Sequence, residues 1–268
     1  MNKISSRKLV SFSGSCPINC KHCYTFEFAQ RKTKSDADEI EDIISGLGDG
    51  ESFDVIYVSH DRENFIDENA GINLVEALYY TQKKHIFIIT RKTLSNTCIN
   101  RLAQVSEKMK GDGLLLAVAI SIPANKSYFI TEDTSCIASP EARCDCIRRL
   151  HNAGIKTIFL ARPLFPDNII PVDEITRMII DNTSYIDAVV SSGLAVNPAI
   201  LKRLQMEDYS FNYLSGNNAE FLIGSEVNNI RYIDVKHELE KIQECCKTCT
   251  IPFATHSMQA LNILLEKI

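Results

Sequence analysis

Lys8-Leu9-Val10-Ser11-Phe12-Ser13, then Gly14-Ser15, then Cys16-Pro17-Ile18-Asn19-Cys20-Lys21-His22-Cys23-Tyr24: a short strand-like run is followed at once by three thiols within eight residues. Sulfur ligands this close can surround one inorganic centre, and soft thiolates select zinc or iron–sulfur clusters. A zinc site would ordinarily be completed by a fourth ligand at matching spacing. None is evident, because His22 lies between two of the cysteines and is poorly placed to join them. Three ligands on a cubane, by contrast, leave one iron open for a substrate or cofactor.

Outward from this segment, strand-like runs recur at 8–13, 54–60, 85–91, 115–123, 155–162, 186–196 and 251–256, with weaker ones at 220–223 and 230–235. Helical patterns fill the intervals. Ser35 reads as the cap of an amphipathic stretch at 36–47 that Gly48 closes, and apolar spacing continues at 72–81, 95–109 and 173–181. Ser139-Pro140-Glu141 is a cap followed by proline at the first turn, and Gly154 ends the helix it opens. Such alternation predicts an α/β fold with a parallel sheet curled into a full or partial (β/α) barrel of the TIM type, with chemistry at the carboxyl ends of the strands. The expected organisation is one barrel domain over 1–268, with 1–200 as its core and 201–268 as a less regular part that closes it. Residues 210–229 are the least regular.

The chain has 268 residues, 45% hydrophobic and 24% charged, which is the balance of a folded protein with a sizeable core. A net charge of −5 excludes a generally basic nucleic-acid coat, though not a local basic groove. No apolar run approaches the roughly 18 residues of a membrane span and no signal-type segment follows Met1, so no membrane partner and a cytoplasmic location are expected. Ten cysteines in such a chain point to metal or redox chemistry rather than to disulfides.

The C-x3-C-x2-C spacing after a first strand, followed by an aromatic, resembles the radical S-adenosylmethionine (SAM) superfamily. The later motifs, Phe87-Ile88-Ile89-Thr90-Arg91, Ala119-Ile120-Ser121-Ile122-Pro123, Glu132, Ser139-Pro140-Glu141-Ala142-Arg143, Leu150-His151-Asn152-Ala153-Gly154-Ile155 and Arg162-Pro163-Leu164-Phe165-Pro166, look in their order like its spore photoproduct lyase and DNA repair photolyase-like branch. The resemblance implies a radical SAM fold and an oxygen-sensitive enzyme. Such an enzyme cleaves SAM reductively on a [4Fe–4S] cluster, and the resulting 5′-deoxyadenosyl radical abstracts a hydrogen atom from a substrate. It also implies a flavodoxin- or ferredoxin-type electron donor and a small-molecule, peptide or nucleobase substrate.

Carried over by position, the resemblance makes Cys16, Cys20 and Cys23 the cluster ligands. His22 takes the place of an aromatic near the adenine, and Tyr24 that of the aromatic after the last ligand. Arg91 matches a basic residue paired with the SAM carboxylate, and Ser121 a polar residue that hydrogen-bonds to SAM. Ser59-His60-Asp61 stands where relatives carry a Gly-Gly-Glu-like motif. Arg143 and Arg162 are candidate cations on the cofactor or substrate side, although Arg143 near a helix start also reads as a solvated surface charge. His60 reads as a catalytic proton relay or a satisfied loop histidine. Lyases of this branch carry a hydrogen-donor cysteine just after strand two; the matching segment, Tyr57 to Arg62, has none, which argues against repair of a nucleic-acid lesion. Cys136 is the candidate donor thiol instead.

Cys245, Cys246 and Cys249 form a second group. They read either as ligands of an auxiliary iron–sulfur cluster or as small buried hydrophobes, and neighbours on a helix point about 100° apart, which hinders joint ligation. Cys144 and Cys146 are two apart on a helix and so face different sides, and Cys98 reads as core. The competing reading of the whole chain is a non-catalytic zinc-binding interaction module.

Overall fold

The strand-like runs become parallel strands because their residues are apolar on both faces, as a sheet covered on both sides requires. In the computed structural model, which describes residues 3–14, 16–23, 35–48, 52–132, 137–214 and 230–267, these are β1 (Arg7–Val10), β2 (Val55–Val58), β3 (His85–Thr90), β4 (Leu116–Ser121), β5 (Lys156–Leu164) and β6 (Ala188–Gly193). Two short strands follow, β7 (Ala195–Val196) and β8 (Arg231–Tyr232), then β9 (Phe253–Ala254). The main sheet has seven strands in the order β1-β2-β3-β4-β5-β6-β9, every pair parallel. That sequential order is a partial TIM-type barrel, open between β1 and β9. The expected strand over 186–196 is interrupted at Leu194, after which β7 turns away to pair antiparallel with β8. Gly193 permits the close approach: a side chain there would meet Val235 Cγ2 at 2.9 Å and the Ile233 carbonyl at 3.0 Å.

Helices α1 (Asp36–Gly46), α2 (Glu68–Gln82), α3 (Asn96–Gly111), the short α4 (Tyr128–Thr131), α5 (Pro140–Asn152), α6 (Val172–Asp181), α7 (Pro198–Leu204) and α8 (Lys236–Thr248) connect the strands. Their starts follow the capping signals. Ser35, Ser95 and Ser139 accept hydrogen bonds from Asp38, Cys98 and Ala142 amides, and Asp67 opens α2 a turn earlier than apolar spacing alone predicts. Val58, Ile86, Ile88 and Ile120 face the outer layer with residues of these helices such as Leu74, Leu102 and Ile147.

The alternate residues of the same strands, Val55, Tyr57, Phe87, Ala117, Ala119 and Ile158, face the barrel interior. Helix α9 (Ser257–Leu265) lies against this inner face, where Ala188, Ala254 and its own Ala260 permit close packing. It buries Leu261, Leu264 and Leu265 there, each contributing roughly 1.5–3 kcal/mol. Asn262 of α9 joins the open edge. Its Oδ1 accepts from the Ile4 amide at 2.8 Å and its Nδ2 donates to the Ile4 carbonyl at 2.9 Å, replacing the ladder partner that the chain entering β1 lacks. No helix among the described residues is long and apolar enough to cross a membrane.

Candidate functional site

The loop after β1 carries Cys16, Cys20 and Cys23 to the carboxyl end of the sheet, and all three line one cavity of about 550 Å³. Asn19, in the left-handed region at φ 51°, reverses the chain between the first two cysteines, a conformation asparagine tolerates better than most residues. Ile18, buried with Cys20 and Ile137, anchors the loop from beneath. From the side, the Lys21 amide donates to the Thr131 carbonyl at 3.1 Å and Lys21 Nζ to the Phe129 carbonyl at 3.0 Å. Arg203 of α7 holds the other flank, donating to the Lys21 carbonyl at 3.1 Å and the Cys23 carbonyl at 2.7 Å.

The Ile18 and Glu63 amides donate to the Cys16 sulfur. Burial raises the Cys16 thiol and pushes Cys20 up to about 12, the latter against the pull of the Arg91 guanidinium. Among the described residues, no three His, Cys, Asp or Glu side chains converge to hold a single ion.

Behind the loop lies a buried ionic network. Arg91, at the end of β3, donates through Nη1 to Glu132 Oε1 and through Nη2 to His22 Nε2 at 3.0 Å and the Arg162 carbonyl at 3.3 Å. His22 Nδ1 lies 3.1 Å from the Thr131 carbonyl, which can only accept, so Nδ1 carries the proton and Nε2 accepts from Arg91. The ring is therefore neutral; burial and Arg91 hold it well below the usual histidine range.

Arg143 completes the network, donating to both Glu132 oxygens, at 3.1 and 2.6 Å, and to the Ser121 carbonyl at 2.6 Å. This corrects the expectation that Arg143 faces a cofactor or solvent. It is fully buried, does not line the cavity, and acts on the site through Glu132 and the Ser121 carbonyl. Burying one carboxylate between two guanidinia satisfies the desolvation requirement of the acid and leaves one positive charge at the cavity wall.

Ser59, His60, Arg91, Ser121 and Arg162 all line the cavity. Ser59 adopts φ 67°, a glycine-like conformation, and its hydroxyl accepts from the Asn64 amide at 3.1 Å. His60 Nδ1 lies 2.7 Å from Asp61 Oδ1. Ser121 Oγ donates to the Arg162 carbonyl at 3.2 Å, while Arg162 donates to Ser192 Oγ at 2.5 Å and to the Thr255 carbonyl at 2.9 Å. Tyr24 and Cys136 lie outside the described residues.

Two residues escaped the sequence reading of roles. Glu63, on the cavity wall, accepts from the Arg91 amide at 2.9 Å, the Phe65 amide at 3.1 Å and the Thr90 hydroxyl, and burial raises its carboxyl. Glu132 was part of the resemblance but carried no role. The carboxylate four residues beyond Ser59 was the available signal for Glu63.

The other cysteines are elsewhere. Cys245, Cys246 and Cys249 sit on or just after α8 in the outer layer, Cys246 fully buried, and none lines the cavity. Cys98, Cys144 and Cys146 are also buried in the outer core, the last two because α5 is covered by α3 on one flank and the sheet on another.

No protein-family model matches the chain, and no curated protein matches it. Solved structures do match. Spore photoproduct lyase complexed with dinucleoside spore photoproduct superposes with a TM-score of 0.60 at 12% identity, covering 89% of this chain and 71% of that one. Streptococcus suis SuiB bound to S-adenosylmethionine gives 0.53 at 15% identity, covering 95% of this chain and 51% of that one. Methylornithine synthase (PylB) gives 0.50 at 16%, covering 72% and 54%. At such identities the likeness is one of fold, and the fold is the partial TIM barrel of radical SAM enzymes.

Proposed function

We propose that the chain is a radical SAM enzyme in which Cys16, Cys20 and Cys23 hold a [4Fe–4S] cluster. The observation that carries the reading is the position of the three sulfurs. They follow the first strand of a parallel partial barrel, at its carboxyl end, and line one wall of a single cavity. The donor set fits the group. The ligands are soft sulfur, the Cys16 sulfur receives two backbone amides, and Arg91 offsets the negative charge that a thiolate cluster would bring beside Cys20. A zinc ion would ordinarily take a fourth ligand at matching spacing, and the sequence around the three cysteines offers none.

When bound, the cluster and SAM would supply a 5′-deoxyadenosyl radical that abstracts a hydrogen atom. The protein's part is binding, orientation and exclusion of water. A cavity of about 550 Å³ has room for a cofactor and a small substrate, and Ile89 and Leu160 give it an apolar wall. Ser59, Ser121 and Arg162 are the polar groups through which SAM would be oriented, while His22, both of whose ring nitrogens are already bonded, would offer only its ring. Arg91 would meet the SAM carboxylate while still bound to Glu132, so it serves the loop as a strut as well as the cofactor as a clamp. His60, next to Asp61 on the same wall, is placed to move a proton.

Anaerobic reconstitution with iron and sulfide tests the proposal. The expected result is a brown protein whose absorption bleaches on reduction, an EPR signal perturbed by SAM, and 5′-deoxyadenosine released with dithionite. Zinc as the only metal and no 5′-deoxyadenosine would overturn it.

A further inference from the structure

Arg203 stands 180 residues beyond Cys23 in the chain and touches it in the fold. Its place is built by α7. Asn197 caps the helix, its side chain accepting from the Ile200 amide at 2.8 Å, Pro198 fills the first turn, and Ile200 and Leu204 are buried. Just before the helix, Gly193, Leu194 and Ala195 line the cavity, so one ordered stretch runs from the cavity wall to Arg203. Lys202 beside it is exposed, whereas Arg203 is half-buried and turned onto the cysteine loop.

The three thiols are supported in different ways. Cys16 receives two backbone amides, and Cys20 has the Arg91 guanidinium beside it. At Cys23 the fold brings Arg203, whose Nε donates to the Lys21 carbonyl at 3.1 Å and whose Nη2 donates to the Cys23 carbonyl at 2.7 Å. The Lys21 amide is held by the Thr131 carbonyl, and the Cys23 amide donates to the Cys20 carbonyl at 2.9 Å, so the guanidinium closes a turn already tied on its donor side. The bonded carbonyl and the sulfur belong to one residue, which puts the charge within roughly 8 Å of that sulfur, inside a Debye length. After burial and Arg91, Arg203 is a further cause that keeps the His22 ring below the usual histidine range, so its field reaches the site. Arg203 itself does not line the cavity.

We propose that Arg203 is a positioning residue of the cluster site: it clamps the Lys21 and Cys23 carbonyls, holds Cys23 as the third ligand, and sets a positive charge beside the thiolates. This role rests on the cluster assignment above and extends it to the C-terminal part of the chain. Reduction adds one negative charge beside the thiolates, and a nearby cation stabilises the more negative state, so the guanidinium makes the electron easier to accept. The electron comes from the reductant, dithionite in the assay.

The test compares the reconstituted full chain with Arg203→Gln, which removes the charge, and Arg203→Lys, which keeps it without the fork. Iron content, the midpoint potential from a redox titration followed by EPR, and SAM affinity are measured on each. Arg203→Gln should titrate at a more negative potential than the parent, and Arg203→Lys close to it. At limiting dithionite, the glutamine variant should form 5′-deoxyadenosine about threefold more slowly or worse, with SAM affinity kept within about twofold. Equal potentials in the parent and the glutamine variant, or equal shifts in the two variants, would overturn the proposal. So would a larger loss of SAM affinity, because Arg203 would then act on the cofactor's pocket. If Arg203→Gln holds no iron, the lysine variant decides: iron at the parent's potential supports the role, and no iron reduces Arg203 to a strut and overturns it. Absence of a cluster in the parent protein would instead overturn the enzyme assignment, so the two failures are distinguishable.

Discussion

The two cysteine triplets of this chain differ in spacing and have opposite surroundings. Cys16, Cys20 and Cys23 lie on a loop at the carboxyl edge of the sheet, line a cavity, and have amide donors and a guanidinium beside them. Cys245, Cys246 and Cys249 belong to a helix in the outer core. Cys245 donates to the Thr176 carbonyl at 3.7 Å, and burial, together with the neighbouring Cys245 and Cys249, pushes Cys246 up to about 12. Thiols become a candidate site only where the backbone turns them toward one space and supplies donors to stabilise their charge; a helix of the same composition turns them into the packing.

The strongest way to break this contrast is to remove the thiols one at a time. Alanine at Cys16, Cys20 or Cys23 should reduce bound iron and 5′-deoxyadenosine formation to background. Alanine at Cys245 or Cys249 should leave both intact, and Cys246→Ala should keep its iron while losing roughly 1 kcal/mol of stability. Iron lost from the second group would restore the auxiliary-cluster reading.

Next in size is Glu132→Ala. It leaves Arg91 and Arg143 buried without their shared carboxylate and should cost about 3–5 kcal/mol in urea denaturation. Adding Arg143→Met should recover part of that loss, because it removes one of the stranded charges. A single variant as stable as the parent would mean that water reaches the network.

The barrel was legible because its signals are local and repeated: apolar strands, serine caps, Pro140 at a first turn, and the thiols directly behind β1. What escaped depends on which way a side chain points. Tyr57 sits between Ile56 and Val58, and since both faces of β2 are apolar, nothing in the sequence marks Tyr57 as the residue facing the cavity. Arg143 in a first helical turn has no sidedness of its own. Its burial follows from Glu132, which stands 11 residues earlier in the same connection after β4 and lies in an aperiodic stretch. Helix α9 is nine residues long, uncapped by its own side chains and largely apolar, too short for a period to separate it from a strand.

A smaller effect sharpens the contrast at the mouth itself. Ser59 ends β2 with φ 67°, its amide donating to the Val10 carbonyl just before the cysteine loop and its hydroxyl accepting from Asn64. The left-handed backbone costs a non-glycine residue about 1–2 kcal/mol, and the hydroxyl returns about 1 kcal/mol. Ser59→Gly relieves the first and loses the second, so its stability should stay within about 1 kcal/mol of the parent. Ser59→Ala keeps the strain and loses the bond, and should be less stable than the glycine variant by roughly 1 kcal/mol or more. Thermal melting of the two variants checks the order. If alanine proved as stable as glycine, the bend under the cysteines would not need a glycine-like residue, and the wall that distinguishes the first triplet from the second would be held by the Arg91–Glu132–Arg143 network alone.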